Sequence, residues 1–397
     1  MIDFGLSAED FARDYLDRKP YLHRAALSPS PMGWTDLDQA LSFAETDVSS
    51  VQLFHNGQVA PQAFVDEGME FGRPVTRLNK HRFYDLLQRG ATLVINRFEK
   101  YSLQAQRLGL CVSRFTNLQT TSNAYVSFGG TGTFGRHWDT HDVVILQLVG
   151  KKHWQVFAPS LELPLSSQTS ERMNLACPLT AEFECVLQAG DLLYIPRGWW
   201  HDVKPFAEGS LHLSIGVYAP AMLDYITWLC ARILPQHLQA RQQATGDNLR
   251  SIPGLTQALT LAAMDENNLA EFTKETQQRA RLISEFNTGL FANSNPTLND
   301  DLCLTLTASG ITSSATGEMR INGGRIRLDT LGHQVISILT ENVVTTFAVL
   351  CGRVRAVKRE EVASVVIGLA RHELVNIVTS SRITLAQRRR QVALIHE

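Results

Sequence analysis

The sequence predicts an α+β protein whose central third is a small antiparallel jelly-roll barrel. Residues 143–149 form an apolar run, a Gly-Lys-Lys turn follows at 150–152, and HWQVF at 153–157 is typical of the returning strand. Beyond Pro220, apolar residues recur at the 3.6-residue spacing of helices. Short strands bounded by turns and followed by helices therefore predict a barrel with a helical unit after it.

The elements before the barrel are expected to form an accessory layer around it. The pattern predicts helices over residues 8–16, from residue 34, and over residues 79–89, with a strand at 91–95 after the last of them. Because the chain has 397 residues, two or three domains are expected. The accessory layer and the barrel make up the first predicted domain, residues 1–220.

An H-x-D pair, His137 and Asp139, is the strongest functional signal in the chain. Side chains two apart on a strand project to the same side, so these two residues can bind one ion. A second imidazole is available at His201, which ends the segment IPRGWWH after an apolar strand and a proline-glycine corner. Two histidines and one carboxylate with open coordination positions are the ligand set of non-haem Fe(II) oxygenases. The chain is therefore predicted to be an iron oxygenase with its site at the mouth of the barrel.

The H-x-D pair alone is weak evidence, because chance matches are common in a chain with 12 histidines. In isolation, His137 and Asp139 could be a solvated polar pair at a strand end. The addition of His201, Lys152 and Asn123 favours the metal site.

Four sequence blocks resemble the JmjC-type 2-oxoglutarate oxygenases, most closely the ribosomal oxygenase branch that hydroxylates ribosomal proteins. The blocks are SNAYV at 122–126, HWDTHDV at 137–143, QLVGKKHW at 147–154, and GDLLYIPRGWWH at 190–201 with SLHLSIG at 210–216. The resemblance covers roughly residues 90–220. It implies a double-stranded β-helix, the cupin-like JmjC barrel. It also implies Fe(II), 2-oxoglutarate as cosubstrate, and O₂, with His137, Asp139 and His201 as iron ligands and catalytic residues.

The same resemblance implies three contacts to the cosubstrate. Lys152 stands where the branch places the cation for the distal carboxylate of 2-oxoglutarate, and a buried lysine needs such a partner. Lys151 takes that place if the strand register slips by one residue. Asn123 and Ser214 match positions of the same pocket, although an Asn at this point could equally terminate a strand or form an Asx turn.

The implied function is hydroxylation of an arginine or histidine side chain of a ribosomal protein at its β-carbon. Arg136 stands just before His137, where the family often has proline, and this departure bears on substrate identity. One alternative is the same chemistry on another peptide or a small molecule, or removal of N-methyl groups from lysine. A third interpretation is a non-catalytic, cupin-like binding module.

The remainder of the chain predicts two further domains. Residues 221–294 contain helical patterns, and the resemblance implies a dimerisation region, whose alternative is a helical cap on its own barrel. Residues 295–397 contain an Asn-Gly hairpin pattern at 319–327 and helices at 331–339 and 362–369, a mixture that resembles a winged-helix-like domain. No recognition helix with basic character stands out, so direct nucleic-acid binding is not expected.

Composition and cysteine spacing limit the partners and the cellular location that are expected. A formal net charge of −2 gives no general attraction to nucleic acid or to anionic membranes. The basic cluster at 388–390 is interpreted as a solvated helix face. Six scattered cysteines without a CxxC pair suggest neither a zinc site nor a disulfide framework. With no signal-peptide pattern and no apolar stretch of ~18 residues, the expected location is the cytoplasm and no membrane partner is expected.

Overall fold

The structure is a computed structural model that describes residues 2–45, 47–130, 132–279, 286, 288, 298–307, 318–321, 324–341, 344–354 and 357–378. The first elements are α1 (Ala8–Asp14), β1 (Tyr21–His23), α2 (Trp34–Ala44), β2 (Val51–Phe54), β3 (Val65–Glu70), β4 (Arg73–Leu78), α3 (Lys80–Gln88), β5 (Thr92–Ile95) and α4 (Leu103–Thr116). Ser7, Asn79 and Ser102 each accept a hydrogen bond from the first turn of the following helix, which is why α1, α3 and α4 begin where they do. The three helices and the strand predicted before the barrel are thus all present.

The barrel follows directly. It consists of β6 (Gln119–Phe128), β7 (Asp142–Val149), β8 (Lys151–Phe157), α5 (Ser170–Met173), β9 (Phe183–Gln188), β10 (Leu192–Ile195), β11 (Trp200–Pro205) and β12 (Gly209–Tyr218). One sheet has the order β1-β10-β7-β12-β6-β5-β2 and a smaller one has the order β11-β8-β9, with antiparallel pairing throughout. The predicted mixed α and β architecture with a jelly-roll barrel is confirmed.

Strand β7 of the larger sheet is buried on both of its faces. Leu146 and Leu148 of β7 join the core shared with Leu108 and Val112 of α4. On the opposite face, Val143 and Ile145 of the same strand pack against side chains of the small sheet. Burial on both sides explains why β7 is an unbroken apolar run instead of an alternating one.

The turn between β7 and β8 is shorter than the predicted 150–152. Gly150 has a φ of +66°, and a Cβ at this position would lie 2.3 Å from the carbonyl oxygen of Gly209. Glycine alone therefore makes the turn, and β8 already begins at Lys151. Lys152 is consequently a strand residue with a defined facing.

The residues after the barrel have separate small cores. The helices are α6 (Met222–Arg232), α7 (Leu238–Arg241), α8 (Ile252–Ala263) and α9 (Glu266–Arg279). Tyr225, Leu229 and Phe272 form their core, so α6 and α9 pack together. The helical patterns expected within residues 221–294 occur as helices as far as residue 279, and residues 280–285 lie outside the described part.

The last described elements combine short strands and helices around another core. They are β13 (Cys303–Leu306), β14 (Glu318–Ile321), β15 (Gly324–Arg327), α10 (Thr330–Glu341), β16 (Thr345–Thr346), α11 (Phe347–Arg353), α12 (Arg359–Arg371) and β17 (Val375–Val378). Strands β14 and β15 form the predicted hairpin, whose turn residues 322 and 323 lie outside the description, as does the basic cluster at 388–390. Arg114 of α4 donates a hydrogen bond to the carbonyl of Leu306 at 2.6 Å, which ties this unit to the barrel. Among the described helices, none has the length and apolar character needed to cross a membrane.

Candidate metal centre and adjoining cavity

His137 and His201 are brought together by their own backbones. The N–H of His201 donates to the carbonyl of His137 at 2.8 Å, and the N–H of His137 donates back at 3.2 Å. This isolated antiparallel bridge places His137 beside β11, the strand that contains His201 and pairs with β8. Because directly paired residues project to the same side, the two imidazole rings lie 4.3 Å apart.

Asp139 joins the two histidines through a second backbone contact. The N–H of Gly198 donates to the carbonyl of Asp139 at 3.0 Å, and Gly198 has a φ of +85° that a side chain would strain. One ligand atom from each of His137, Asp139 and His201 lies within 4.8 Å of the others. Trp138, between the two ligands, turns the other way and packs edge-on against Trp200, as strand alternation predicts.

The outer nitrogens of both imidazoles are held by carbonyl groups. Nδ1 of His137 lies 3.0 Å from the carbonyl of Gly135, and Nδ1 of His201 lies 3.2 Å from that of Trp199. A proton on each Nδ1 completes these hydrogen bonds and leaves Nε2 free to bind a cation. Nε2 of His201 lies 3.7 Å from Oδ2 of Asp139, so the free nitrogen faces the carboxylate.

The electrostatics of the three groups suit a cation. Burial raises the pKa of Asp139, but the charges of His201, His137 and His141 together outweigh burial and hold this pKa below its usual value. Burial, with the neighbouring His137, lowers the pKa of His201 to about 4. An ionised carboxylate beside a neutral imidazole is the protonation state that metal binding requires. In the described part of the chain, this is the one group of three or more such side chains arranged to hold a metal.

The three residues stand at one wall of a cavity of about 670 Å³, a volume that includes its open mouth. The lining consists of Thr92, Tyr125, Ser127, Gly132, Thr133, Phe134, His137, Asp139, Val143, Ile145, Lys152, Trp154, His201, Val203, Pro205, His212 and Ser214. Arg136 is not among them, since its guanidinium lies 4.4 Å from the ring of Phe157.

Of the two adjacent lysines, Lys152 faces the cavity. It is 3% exposed, and burial lowers its pKa to about 7. None of the described residues forms an ion pair with it. Lys151 points outward instead, with a side chain 40% exposed and its Nζ 3.9 Å from Glu208. The start of β8 at Lys151 thus decides between the two lysines.

Ser214 and Asn123 are partners across the β6–β12 pair, but they differ in their contacts. Ser214 lines the cavity, whereas Asn123 does not. The Oδ1 of Asn123 accepts a hydrogen bond from the backbone N–H of Arg97 at 3.1 Å. Asn123 also lowers the pKa of Tyr125, although burial raises that pKa by more. Asn123 therefore lies next to a lining residue and is itself bonded to the β5–α4 turn.

Sequence reasoning missed several polar residues of the cavity, among them Tyr125, Trp154 and His212. Within the described residues, Nε1 of Trp154 and Nδ1 of His212 are buried and have no hydrogen-bond partner. The alternation of side chains along a strand could have identified these two residues as lining the cavity. Trp154 lies two residues from Lys152 and His212 two residues from Ser214, so each projects from the same face as a predicted site residue. His141 stacks on Tyr218 at 4.8 Å and does not line the cavity.

Comparison with known proteins shows one domain family to which the barrel is similar. Residues 94–225 match the JmjC domain. The chain is 30% identical over 216 residues to ribosomal oxygenase 1 of Gallus gallus, covering 53% of this chain and 35% of that protein. It is 27% identical over 212 residues to the bifunctional lysine-specific demethylase and histidyl-hydroxylase NO66 of Drosophila persimilis, covering 52% and 30%. The matched segment thus spans about a third of the length of these relatives.

A solved structure extends the likeness to almost the whole chain. YcfD, a ribosomal oxygenase from Escherichia coli in complex with cobalt and 2-oxoglutarate, superposes with a TM-score of 0.57 over 95% of this chain and 99% of that one. The sequence identity is 16%, so this likeness concerns the fold.

Proposed function

The chain carries a JmjC domain and is homologous to the ribosomal oxygenases, and on that premise we propose that it is an Fe(II)- and 2-oxoglutarate-dependent protein hydroxylase. Its proposed substrate is an arginine or histidine side chain of a ribosomal protein, hydroxylated at the β-carbon. The observation that carries the proposal is that one cavity is lined by the three candidate metal ligands, His137, Asp139 and His201, and also by the buried Lys152.

The described side chains fit both proposed groups. Two imidazoles and one carboxylate leave open positions on a six-coordinate ion, as Fe(II) oxygenases require. An ammonium group buried without a counter-ion is costly, and a ligand carboxylate would remove that cost. When bound, Fe(II) and 2-oxoglutarate supply the oxidising chemistry, in which 2-oxoglutarate is decarboxylated to succinate while O₂ provides the hydroxyl oxygen.

Each residue of the site has a definite proposed role. His137, Asp139 and His201 hold the metal, and their backbone bridge maintains the spacing. Lys152 binds the distal carboxylate of 2-oxoglutarate. Ser214 contributes a hydroxyl to the same pocket, and Asn123 acts indirectly, from beside the lining residue Tyr125. The protein thereby orients the cosubstrate.

The barrel is proposed to act within a larger organisation of three domains, residues 1–220, 221–294 and 295–397. Separate cores in the three ranges support these boundaries.

Large apolar side chains of the second domain are exposed, including Leu261 at 67% and Met264 at 78%, and we propose that they contact a second copy of the chain. Replacing Met264 with a charged residue should then convert the dimer to a monomer, and sedimentation velocity should measure this change. The α10–α12 helices with their short sheet and hairpin support a winged-helix-like third domain, and the proposed location is the cytoplasm.

Two measurements together test the proposed activity. The purified protein with Fe(II) should convert 2-oxoglutarate to succinate, and intact-mass analysis should show one ribosomal protein heavier by one oxygen atom in cells that have the gene than in cells that lack it. Formaldehyde release from methylated peptides would favour N-methyl-lysine demethylation, which the name of the NO66 relative includes. Absence of all 2-oxoglutarate turnover would favour a binding module instead.

A further inference from the structure

A buried carboxylate outside the metal site connects the two segments that carry the ligands. Asp142, three residues after Asp139, is completely buried at the start of β7. Its Oδ2 accepts a hydrogen bond from the hydroxyl of Tyr194 at 2.7 Å. Its Oδ1 accepts one from the backbone N–H of Arg197 at 3.0 Å.

The network continues to the N-terminal layer. The hydroxyl of Tyr194 accepts from the backbone N–H of Asp17 at 3.1 Å. The guanidinium of Arg197 lies 2.8 Å from the carboxylate of Asp17 and 3.6 Å from that of Asp142. Arg197 therefore lies between two carboxylates. Both carboxylate oxygens of Asp142 accept a hydrogen bond.

This network stands where the chain crosses from one sheet to the other. Strand β10 pairs with β7 as far as Ile195, opposite Val143. Pro196 has no N–H to continue the ladder, and within a few residues the chain enters β11 in the small sheet. Asp139 precedes a strand of the large sheet, whereas His201 belongs to the small one, so the geometry of this corner determines how far apart the two ligands lie.

Three sets of contacts hold the corner against residues 137–142. The backbone bridge of His137 and His201 is the first, and the bond from Gly198 to the carbonyl of Asp139 is the second. Both join backbone groups, and the second needs glycine at position 198, whose φ is +85°. Among the described contacts, Asp142 adds a side chain to this set, because its carboxylate accepts from the N–H of Arg197 and lies 3.6 Å from the guanidinium of the same residue. A substitution at Asp142 can therefore remove this contact and leave the two backbone contacts in place.

We infer that Asp142, fixed by Tyr194 and bonded to the backbone of Arg197, is a positioning residue that sets the separation of Asp139 and His201 and so tunes metal affinity. The inference rests on the proposed metal centre. Polar groups that orient metal ligands from outside the coordination shell typically change metal affinity by about 10- to 100-fold when they are removed. Asp142 acts through the backbone of the ligand-bearing loop and touches no ligand side chain.

The test is titration of the full-length, metal-free protein with Co(II), whose visible absorption bands report the number and arrangement of its ligands. Asp142→Asn retains the shape but loses the charge, and Tyr194→Phe loses one hydroxyl with little change in volume. Both variants should bind Co(II) about tenfold or more weakly, with altered band positions. The matched control is Asp202→Asn, since Asp202 adjoins His201 in sequence but pairs with the exposed Lys204 at 3.8 Å, and it should leave affinity and bands unchanged.

Each outcome has one meaning. If Asp142→Asn or Tyr194→Phe binds Co(II) with the affinity and bands of the unaltered protein while its unfolding temperature falls, the network is structural and the inference is wrong. Should Asp142→Asn fail to fold, Tyr194→Phe decides alone. If the unaltered protein itself does not bind Co(II), the proposed metal centre is refuted, and this inference is refuted with it.

Discussion

The two ends of the cavity differ in how their polar groups are satisfied. At the metal end, both Nδ1 atoms of His137 and His201 face carbonyl groups, and Gly198 bonds the backbone of Asp139. At the inner end, Lys152 lacks an ion-pair partner and Trp154 lacks a hydrogen-bond acceptor, as far as the described residues show. The first end is held in place before anything binds, whereas the second contains groups whose partners must come from a ligand.

This difference separates the roles of the two ends. A metal needs a fixed ligand spacing, and a rigid backbone bridge provides that without cost at the moment of binding. A carboxylate ligand must replace water with equally strong contacts, and buried donors without partners provide them. Substitutions at the first end should therefore abolish metal binding, and substitutions at the second should weaken cosubstrate binding by graded amounts.

The largest effect is expected for Asp139→Ala, which removes the carboxylate from the His137, Asp139 and His201 group. Co(II) affinity should fall more than about 100-fold, beyond the 10- to 100-fold of residues outside the coordination shell, and succinate formation should cease. Metal titration and succinate assay measure this, with Asp202→Asn as the control. Circular dichroism should show an intact fold. Turnover by Asp139→Ala at the rate of the unaltered protein would refute the ligand assignment.

Lys152→Met should mainly weaken the inner end. A hydrogen bond to a charged group contributes ~1.5–3 kcal/mol, so the KM for 2-oxoglutarate should rise about 10- to 150-fold. Co(II) affinity should change little, because the metal end does not include Lys152. Lys151→Met is the matched control, since its side chain is 40% exposed and points away from the cavity. A larger effect from Lys151→Met would reverse the assignment of the two lysines.

The metal end was predictable from the sequence, and much of the inner end was not. His137 and Asp139 share a strand face whatever the rest of the fold does, and strand parity requires only local structure. For β7 and β12 both faces are buried, so the apolar pattern cannot tell which face borders the cavity. His212 and Trp154 were therefore not recognisable as lining residues from the sequence.

The fold shows the same division between local and long-range information. The helices predicted before and after the barrel occur within a few residues of their expected bounds where the chain is described, because caps and periodicity act locally. The sheet order β1-β10-β7-β12-β6-β5-β2 depends on pairings between segments distant in sequence. Nothing in a single strand specifies its partner. The turn at Gly150 also links a local rule to the site, because it sets which lysine faces inward.

The pH dependence of cosubstrate binding gives a sharper test of the inner end. Burial lowers the pKa of Lys152 from its ordinary 10.5 to about 7 in the free protein, and a bound carboxylate should raise it again. Affinity is then fully present below pH 7 and declines as the pH rises through 7, since the neutral amine must take up a proton on binding. Between pH 6 and 8 the 2-oxoglutarate Kd should rise about tenfold at saturating metal.

Lys152→Arg provides the control for this dependence, because guanidinium stays charged throughout the range. Its 2-oxoglutarate Kd should vary little between pH 6 and 8. The pKa of His212 is held well below its usual value, mainly by burial and also by Lys152, so this neighbour should not titrate there. An equal pH dependence in Lys152→Arg would assign the titration to another group.

The smallest effect is expected for Trp154→Phe, which removes the unpaired indole N–H from the inner end. If that N–H donates to the cosubstrate, the Kd for 2-oxoglutarate should rise about 2- to 10-fold, the value of a neutral hydrogen bond of ~0.5–1.5 kcal/mol. Trp228→Phe is the matched control, because its indole already donates to Glu275 at 2.9 Å, outside the cavity, and its loss should leave the Kd unchanged. An unchanged Kd in Trp154→Phe would leave Lys152 as the principal donor at the inner end, and the unpaired Nε1 would then be a tolerated cost of packing Trp154 against the barrel core.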